Sequence, residues 1–263
     1  MKETAMQDRL LTLENRQVIV TGAGQGIGRA LAAAIADLGG SVVAVDLNAD
    51  ALAALREALG HERCVTVAGN VADPALAQQA VDAGVAAFGG VNGLVNNAGV
   101  TRTAMIDKMS ISDWQQVIDV HLSGSFYFLQ ALGRHLLGRA KAGGDGAGAI
   151  VNISSDAGRR GTIGQINYGA AKAGVLGLTM CAAREWARYG IRTNTVGFGV
   201  VETPMTETIR GEKFRDTYLS QIPLGRWGEA DEVVRPVCFL LSDAASYVTG
   251  QHLSVNGGYT IGL

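Results

Sequence analysis

Cysteine is scarce in this chain of 263 residues, with three in all, Cys64, Cys181 and Cys238, far apart from one another. None forms a C-x-x-C pair and none has a histidine at ligand spacing, which argues against a disulfide framework and against a zinc site. The three are expected to be ordinary buried thiols, and no metal is expected. Charge of one sign is equally thin: the net charge is -2, the isoelectric point is near 6.1, and no five like charges run together. A nucleic-acid groove and a membrane-binding surface are therefore not indicated. The opening MKETAMQDRL has no apolar h-region, and no segment offers about 18 uninterrupted apolar residues. Neither export nor a membrane span is expected, and the protein is placed in the cytoplasm. What is present is a hydrophobic content of 48%, enough for a sizeable buried core. A small molecule is the expected partner.

Short β-branched runs alternate with amphipathic stretches rich in alanine and leucine. QVIV (17–20), SVVAV (41–45), CVTV (64–67), GLVN (93–96), AIVNI (149–153) and IRTNTV (191–196) read as strands, with helical patterns between them. That alternation predicts an α/β fold: one doubly wound, Rossmann-like parallel sheet, three layers thick, in a single domain over residues 1–263. No solenoid period and no interdomain linker appear. The glycine-rich KAGGDGAGA at 141–149 reads as a helix-to-strand loop, and residues 1–13 as a loosely held polar tail.

The first strand leads into TGAGQGIGRAL, which places Gly22, Gly26 and Gly28 where the strand ends and a helix begins. Glycines there allow a tight turn and close backbone approach to a pyrophosphate seated on the helix N-terminus. The same turn can also serve close packing alone. Asp46 ends the second strand, where an acid accepts hydrogen bonds from the adenosine ribose hydroxyls and repels a 2′-phosphate. It also fits a plain turn residue before Asn48. Gln25 is neutral where a phosphate-binding arginine would stand. Together these features favour NAD(H) over NADP(H).

Tyr168 and Lys172 in YGAAK stand four residues apart, on one face of a helix. Alone, the pair carries little information. With the glycine turn, NNAG (96–99) and NISS (152–155) in this order, the chain resembles the short-chain dehydrogenase/reductase family from about Leu13 to Thr260. VTRTAMIDKMSISDW, GNVADP and TGQHLSVNGG are most similar to its 3-oxoacyl-[acyl-carrier-protein] reductases and their alcohol-dehydrogenase relatives. The resemblance implies that Tyr168 is the acid/base, Lys172 its partner, and Ser155, rather than Ser154, the hydroxyl that holds the substrate oxygen. It implies a cofactor site made of the turn with Gln25 and Ile27, of Asp46 and Leu47, and of Asn70 and Val71 flanking the adenine. Asn97, Ala98 and Gly99 join it beside the adenosine, Val201 and Thr203 on the nicotinamide side, and Tyr168 and Lys172 complete it.

The chemistry of the pair also follows from its groups. A phenol with a pKa near 10 is a weak base at neutral pH, and a neighbouring ammonium stabilises its phenolate. Tyr168 would then give or take the proton at the substrate oxygen, with Ser155 orienting that oxygen. Ser155 could instead cap the turn after its strand.

Two positions depart from the family pattern. In VIDVHLSGSF the histidine His121 stands where the family usually has an asparagine that holds a water beside the lysine. His121 is either a relay group or a satisfied histidine without a catalytic role. In VGFGVVET, Phe198 stands in a usual proline position, either loosening the loop over the nicotinamide or presenting an aromatic wall. A substrate lid is expected at about 203–223. Substrates open to this chain are a 3-oxoacyl thioester on acyl carrier protein or coenzyme A, or a secondary alcohol, polyol or hydroxysteroid. A nucleotide-binding regulator without turnover is the remote alternative. Arg134, Arg139, Lys141, Arg159 and Arg160 are candidates, expected near the site, for a patch facing an acidic carrier, or a solvated face. The resemblance also implies a homotetramer, with helices over 112–138 and 168–189 at one interface and the C-terminal strand at another.

Overall fold

β1, Gln17–Thr21, turns successive side chains to opposite faces: Val18 and Val20 enter one apolar cluster and Ile19 another, all fully buried. A strand buried on both faces needs covering on both, and a parallel sheet with crossover helices supplies that. In the computed structural model, which describes residues 11–262, seven strands lie parallel in the order β3-β2-β1-β4-β5-β6-β7. The other six are β2 (Ser41–Asp46), β3 (Cys64–Ala68), β4 (Gly93–Asn96), β5 (Gly148–Ser155), β6 (Ile191–Phe198) and β7 (His252–Val255). The expected doubly wound, three-layer arrangement is the one observed.

One face carries α1 (Gly26–Asp37) and α2 (Ala49–Leu59). The other carries α3 (Pro74–Phe88), α4 (Ile111–Ile118), α5 (Gly124–Lys141) and, after the short α6 (Ala157–Arg160), α7 (Ile166–Trp186). Local chemistry fixes their ends. The Asn48 side chain caps α2 by accepting from Ala51 N–H at 3.0 Å. Asp73 and Pro74 open α3, and Gly89, at φ 77°, ends it. The segment expected as a lid holds a short turn, α8 (Glu207–Arg210) and α9 (Glu212–Leu219); α10 (Ala230–Val233) and α11 (Arg235–Leu241) pack back on the α1 face.

Four expectations are corrected. Leu13 is no part of a loose tail: it is fully buried in the core, and its N–H donates to the Leu38 carbonyl at 2.8 Å; residues 1–10 lie outside the described residues. Cys64 and Cys238 are buried, but Cys181 is exposed on α7. The single helix expected over 112–138 is two, α4 and α5, joined by a π-helical turn at Asp119–Ser123. Arg139 and Lys141 end α5 beside the loop that feeds the start of β5, at the edge of the sheet opposite the strands' carboxyl ends.

A buried polar chain sets the register of α7 on the sheet. Asn96 Nδ2 on β4 donates to Asn152 Oδ1 on β5 at 2.8 Å, and Asn152 Nδ2 donates to Thr179 Oγ1 on α7 at 2.9 Å. Thr195 on β6 donates to the same hydroxyl, which passes its own proton to the Val175 carbonyl. Every member is paired, so the chain rigidifies the sheet–helix contact instead of weakening it.

Candidate active site

The chain's winding reverses between β1 and β4, and a cleft of about 380 Å³ opens there, at the carboxyl ends of the strands. Thr21 and Asn97 lock that point. Thr21 Oγ1 accepts from the N–H groups of Asn97 and Ala98, while Asn97 Nδ2 donates to the Thr21 and Gly22 carbonyls. Side chains are excluded from the turn by contact. A Cβ on Gly28 would fall 1.9 Å from the Gly22 carbonyl oxygen, and one on Gly22 would fall 2.9 Å from Ala98 Cα. Gly22 and Gly26 also hold positive φ, 68° and 50°. The turn thereby presents bare backbone and the start of α1 to the cleft, a surface suited to a pyrophosphate.

At the rim, Asp46 is fixed by two backbone donors: Gly24 N–H reaches one carboxylate oxygen at 2.9 Å and Asn48 N–H the other at 3.0 Å. Leu47, Asn70 and Val71 stand with it on the cleft wall. Among the described lining residues, the only lysine or arginine is Lys172.

The strand exit of β5 and the first turns of α7 form the opposite end. Ser154 and Ser155 separate in function because adjacent residues of a strand face opposite ways. Ser154 Oγ is buried and donates to the Lys172 carbonyl at 2.8 Å. Ser155 is half-buried, sets its hydroxyl beside the Tyr168 phenol, and accepts from Ala157 N–H at 3.3 Å, so it faces the phenol and takes part in the turn as well. Burial pushes the Tyr168 phenol up, and the Ser155 hydrogen bond opposes that shift. Lys172 is buried, donates from Nζ to the Ile153 carbonyl at 2.6 Å, and lies 5.6 Å from the centroid of the Tyr168 ring. Burial pushes its ammonium down to about 7.

His121 sits at the centre of the π-helical turn, buried and edge-on to Tyr168, with ring centroids 5.0 Å apart at 89°. Its Nε2 is 2.8 Å from the Val100 carbonyl and 3.0 Å from the Val100 N–H, and Nδ1 is buried without a hydrogen-bond partner among the described residues. A Cβ on Gly99 would lie 2.3 Å from the imidazole, so glycine makes room for the ring. Burial first and the Lys172 charge second hold His121 down to about 3, leaving it neutral at working pH.

Every residue singled out from the sequence as catalytic or cofactor-binding lines this one cleft, with Ile27, Val201 and Thr203 closing the gap between its two ends. Phe198 is buried on its wall. Gly69, Val100, Val120 and Ile153 also line it and were not foreseen, while Met205 lines it from the segment expected as a lid. Gly69 and Ile153 lie at the ends of β3 and β5, a position that strand ends alone could have flagged. Arg159 and Arg160 lie on α6, just past Ser155, but are engaged with the C-terminal segment.

Comparison with known proteins agrees with this geometry. A family model described as Enoyl-(Acyl carrier protein) reductase matches residues 22–260. The 3-oxoacyl-[acyl-carrier-protein] reductase FabG of Thermotoga maritima is 42% identical over 253 residues, covering 95% of this chain and 100% of that protein. D-threitol dehydrogenase of Mycolicibacterium smegmatis is 40% identical over 251 residues, covering 95% and 94%. A solved structure from Beutenbergia cavernae, described as an NAD(P)-dependent gluconate 5-dehydrogenase with bound NADP at low occupancy, superposes with a TM-score of 0.86 and 34% identity. It covers 95% of this chain and 98% of that one. With the family model spanning nearly the whole fold, and with relatives far above 30% identity across it, the chain belongs to the short-chain dehydrogenase/reductase family of nicotinamide-dependent oxidoreductases.

Proposed function

We propose that this enzyme is specific for NAD(H) and interconverts a ketone and a secondary alcohol, with 3-oxoacyl thioesters as its substrates. The observation that carries the reaction type is the meeting of Ser155, Tyr168 and Lys172 at one end of a cleft whose other end is a side-chain-free glycine turn. Gly22, Gly26 and Gly28 hold the pyrophosphate, Asp46 the adenosine ribose, and Tyr168 and Lys172 the nicotinamide half. When bound, the cofactor supplies or takes up the hydride.

The protein's own part is proton transfer and positioning. Tyr168 gives its phenolic proton to the carbonyl oxygen in reduction and takes the alcohol proton in oxidation. Ser155 donates to the same oxygen and holds it. The Lys172 ammonium stabilises the phenolate across the ring, and its bond to the Ile153 carbonyl aims it there.

The NAD(H) choice rests on Asp46, whose fixed carboxylate repels a 2′-phosphate, with no arginine or lysine other than Lys172 among the described residues of the cleft lining to compensate. The thioester reading draws on the similarity to FabG and on exposed apolar side chains around the entrance. Met205 lines the cleft, and Met105 and Ile163 flank a pair of loops joined by the Ala104 to Gly164 hydrogen bond. Such a rim suits an acyl or pantetheine arm. A second reading, NAD-dependent oxidation of a secondary alcohol or polyol, draws on Asp46 together with the similarity to D-threitol dehydrogenase.

Loss of nicotinamide absorbance with acetoacetyl-coenzyme A, run in parallel with NADH and NADPH, separates these readings. Turnover with NADH supports the proposal; turnover with NADPH alone keeps the reaction and overturns the role of Asp46. Silence with both, and alcohol- or threitol-dependent reduction of NAD instead, selects the second reading. Exposed Phe126 on α5 and Met180 on α7 support a homotetramer packed through these helices, and light scattering is expected to give four chains. A soluble nicotinamide pool places the reaction in the cytoplasm.

A further inference from the structure

Asp156 follows Ser155 directly and is buried, yet it is outside the cleft lining and has no part in the proton chemistry above. Its carboxylate accepts two hydrogen bonds from one amide: Asn256 Nδ2 reaches Oδ1 at 2.9 Å and Oδ2 at 3.1 Å. Asn256 follows the end of β7, and β7 is not adjacent to β5, because β6 lies between them. The amide therefore crosses over the exit of β6. The crossing point is Gly199, where an added Cβ would stand 2.8 Å from Asn256 Cβ. Below it, Asp156 N–H donates to the Phe198 carbonyl at 3.3 Å and Gly199 N–H to the Val255 carbonyl at 3.2 Å. Three strand exits are tied in one row, and Ser155 is the last residue of the first.

The same short helix extends the tie. Arg159 donates to Ser254 Oγ and the Gly262 carbonyl, and Arg160 to the Tyr259 carbonyl and to Gln221 Oε1 at the end of the 203–223 segment. Arg160 also stacks over the Tyr259 ring at 4.3 Å. Neither arginine has a carboxylate within ion-pair distance among the described residues. Asp156 precedes the short helix that carries both arginines, and its burial sets it apart from a solvated surface charge.

We propose that Asp156 is a positioning residue for Ser155: by clamping Asn256 across the exit of β6, it fixes the turn that aims the serine hydroxyl at Tyr168 and the substrate oxygen. The proposal rests on the reading of Ser155 given above. Ser155 is only half-buried and bonds to the turn at 3.3 Å, so its direction depends on where that turn is held.

A double-mutant cycle tests it, in the substrate and direction that the preceding assays establish. Asp156→Ala is expected to lower kcat by on the order of 10- to 100-fold, the cost of misplacing a reacting group by about an ångström. NADH affinity, read by fluorescence titration, is expected to stay unchanged. In a Ser155→Ala background the same substitution is expected to cause no further loss, because it acts through the missing hydroxyl. Multiplicative losses in the cycle, or NADH affinity falling in step with kcat, overturn the proposal. If Asp156→Ala does not fold, Asn256→Ala and Asp156→Asn carry the same cycle, with the smaller loss expected for the asparagine, which keeps one acceptor. Full activity in Ser155→Ala alone would instead remove the reading of the site on which the clamp depends, so the two failures are told apart.

Discussion

Replacing Asp46 by asparagine isolates a charge whose position is unusually well fixed. Both carboxylate oxygens are held by backbone N–H groups, Gly24 at 2.9 Å and Asn48 at 3.0 Å, so the group cannot swing away from an incoming 2′-phosphate. Two unit charges 4 Å apart interact by about 1 kcal/mol in water and about 4 kcal/mol at an effective dielectric of 20. Asp46 is half-exposed, which favours the lower part of that range, but a phosphate monoester carries about -1.5 to -2. Repulsion of about 2–4 kcal/mol results. The ribose bonds to a carboxylate add about 1.5–3 kcal/mol on the NADH side. Together these favour NADH by about 3.5–7 kcal/mol, and at 1.4 kcal/mol per tenfold the wild-type enzyme is expected to prefer NADH by on the order of 300- to 10⁵-fold in kcat/KM. Asp46→Asn keeps an acceptor for Gly24 N–H and removes the charge, so most of the repulsion should vanish and the ratio fall by about tenfold or more. The assay is kcat/KM for NADH and NADPH with one carbonyl substrate, in wild type, Asp46→Asn and Asp46→Ala. Equal ratios in all three proteins would refute the reasoning, because the argument assigns the preference to this one carboxylate.

Tyr168→Phe keeps the ring against His121 and deletes only the hydroxyl, so kcat should fall on the order of 10²- to 10⁴-fold with NADH affinity intact; a near-normal rate would end the acid/base assignment. Lys172 is pushed down to about 7, so its charged form dominates below that pH and disappears above it. In the free enzyme kcat/KM should therefore decline as pH rises through about 7, Lys172→Arg should carry that decline out of the range, and a flat wild-type profile would contradict the role. His121, held down to about 3, contributes no ionisation near neutrality; wild type and His121→Asn should share the same pH limbs, and a limb lost in the variant would mean that the imidazole titrates in turnover.

The first six strands were legible because each is a short run with β-branched residues, and the parallel strands inside the sheet, buried on both faces, carry little else. β7 has only four residues, His252–Val255, mixes polar with apolar side chains and is no more than partly buried, so it leaves a weak periodic signal. The π-helical turn at Asp119–Ser123 was invisible for a different reason. It absorbs one extra residue without a proline or glycine at its centre, and the apolar pattern runs through it. That turn is what carries the His121 ring inward over Gly99. The site residues were legible because strand exits and the first turns of helices gather them in sequence-local motifs. Asp156 was not, since its partner Asn256 lies 100 residues away and the contact exists only after three strands are aligned. Leu13 likewise looks like the last of three closely spaced leucines in a polar segment, with nothing local to mark it as core, until the α1–β2 turn comes to meet it.

The arrangement of Ser155, Tyr168 and Lys172 has no preferred direction: lowering one barrier lowers the forward and reverse rates together, so the site alone makes neither a reductase nor a dehydrogenase. Direction in the cell is set by which cofactor pool the enzyme draws on and by the levels of ketone and alcohol. On that view Asp46 does more than select a ribose. The proposed coupling to NAD(H) through Asp46 would make the net flux follow the redox state of that pool, and the thioester and alcohol readings differ chiefly in which substrate the entrance admits. Two questions therefore separate: substitutions at Asp46 are expected to change the driving pool, and substitutions around Met205 the substrate. A variant altered at Asp46 that switches cofactor while keeping its ranking of substrates would establish that the two positions act independently within the one cleft.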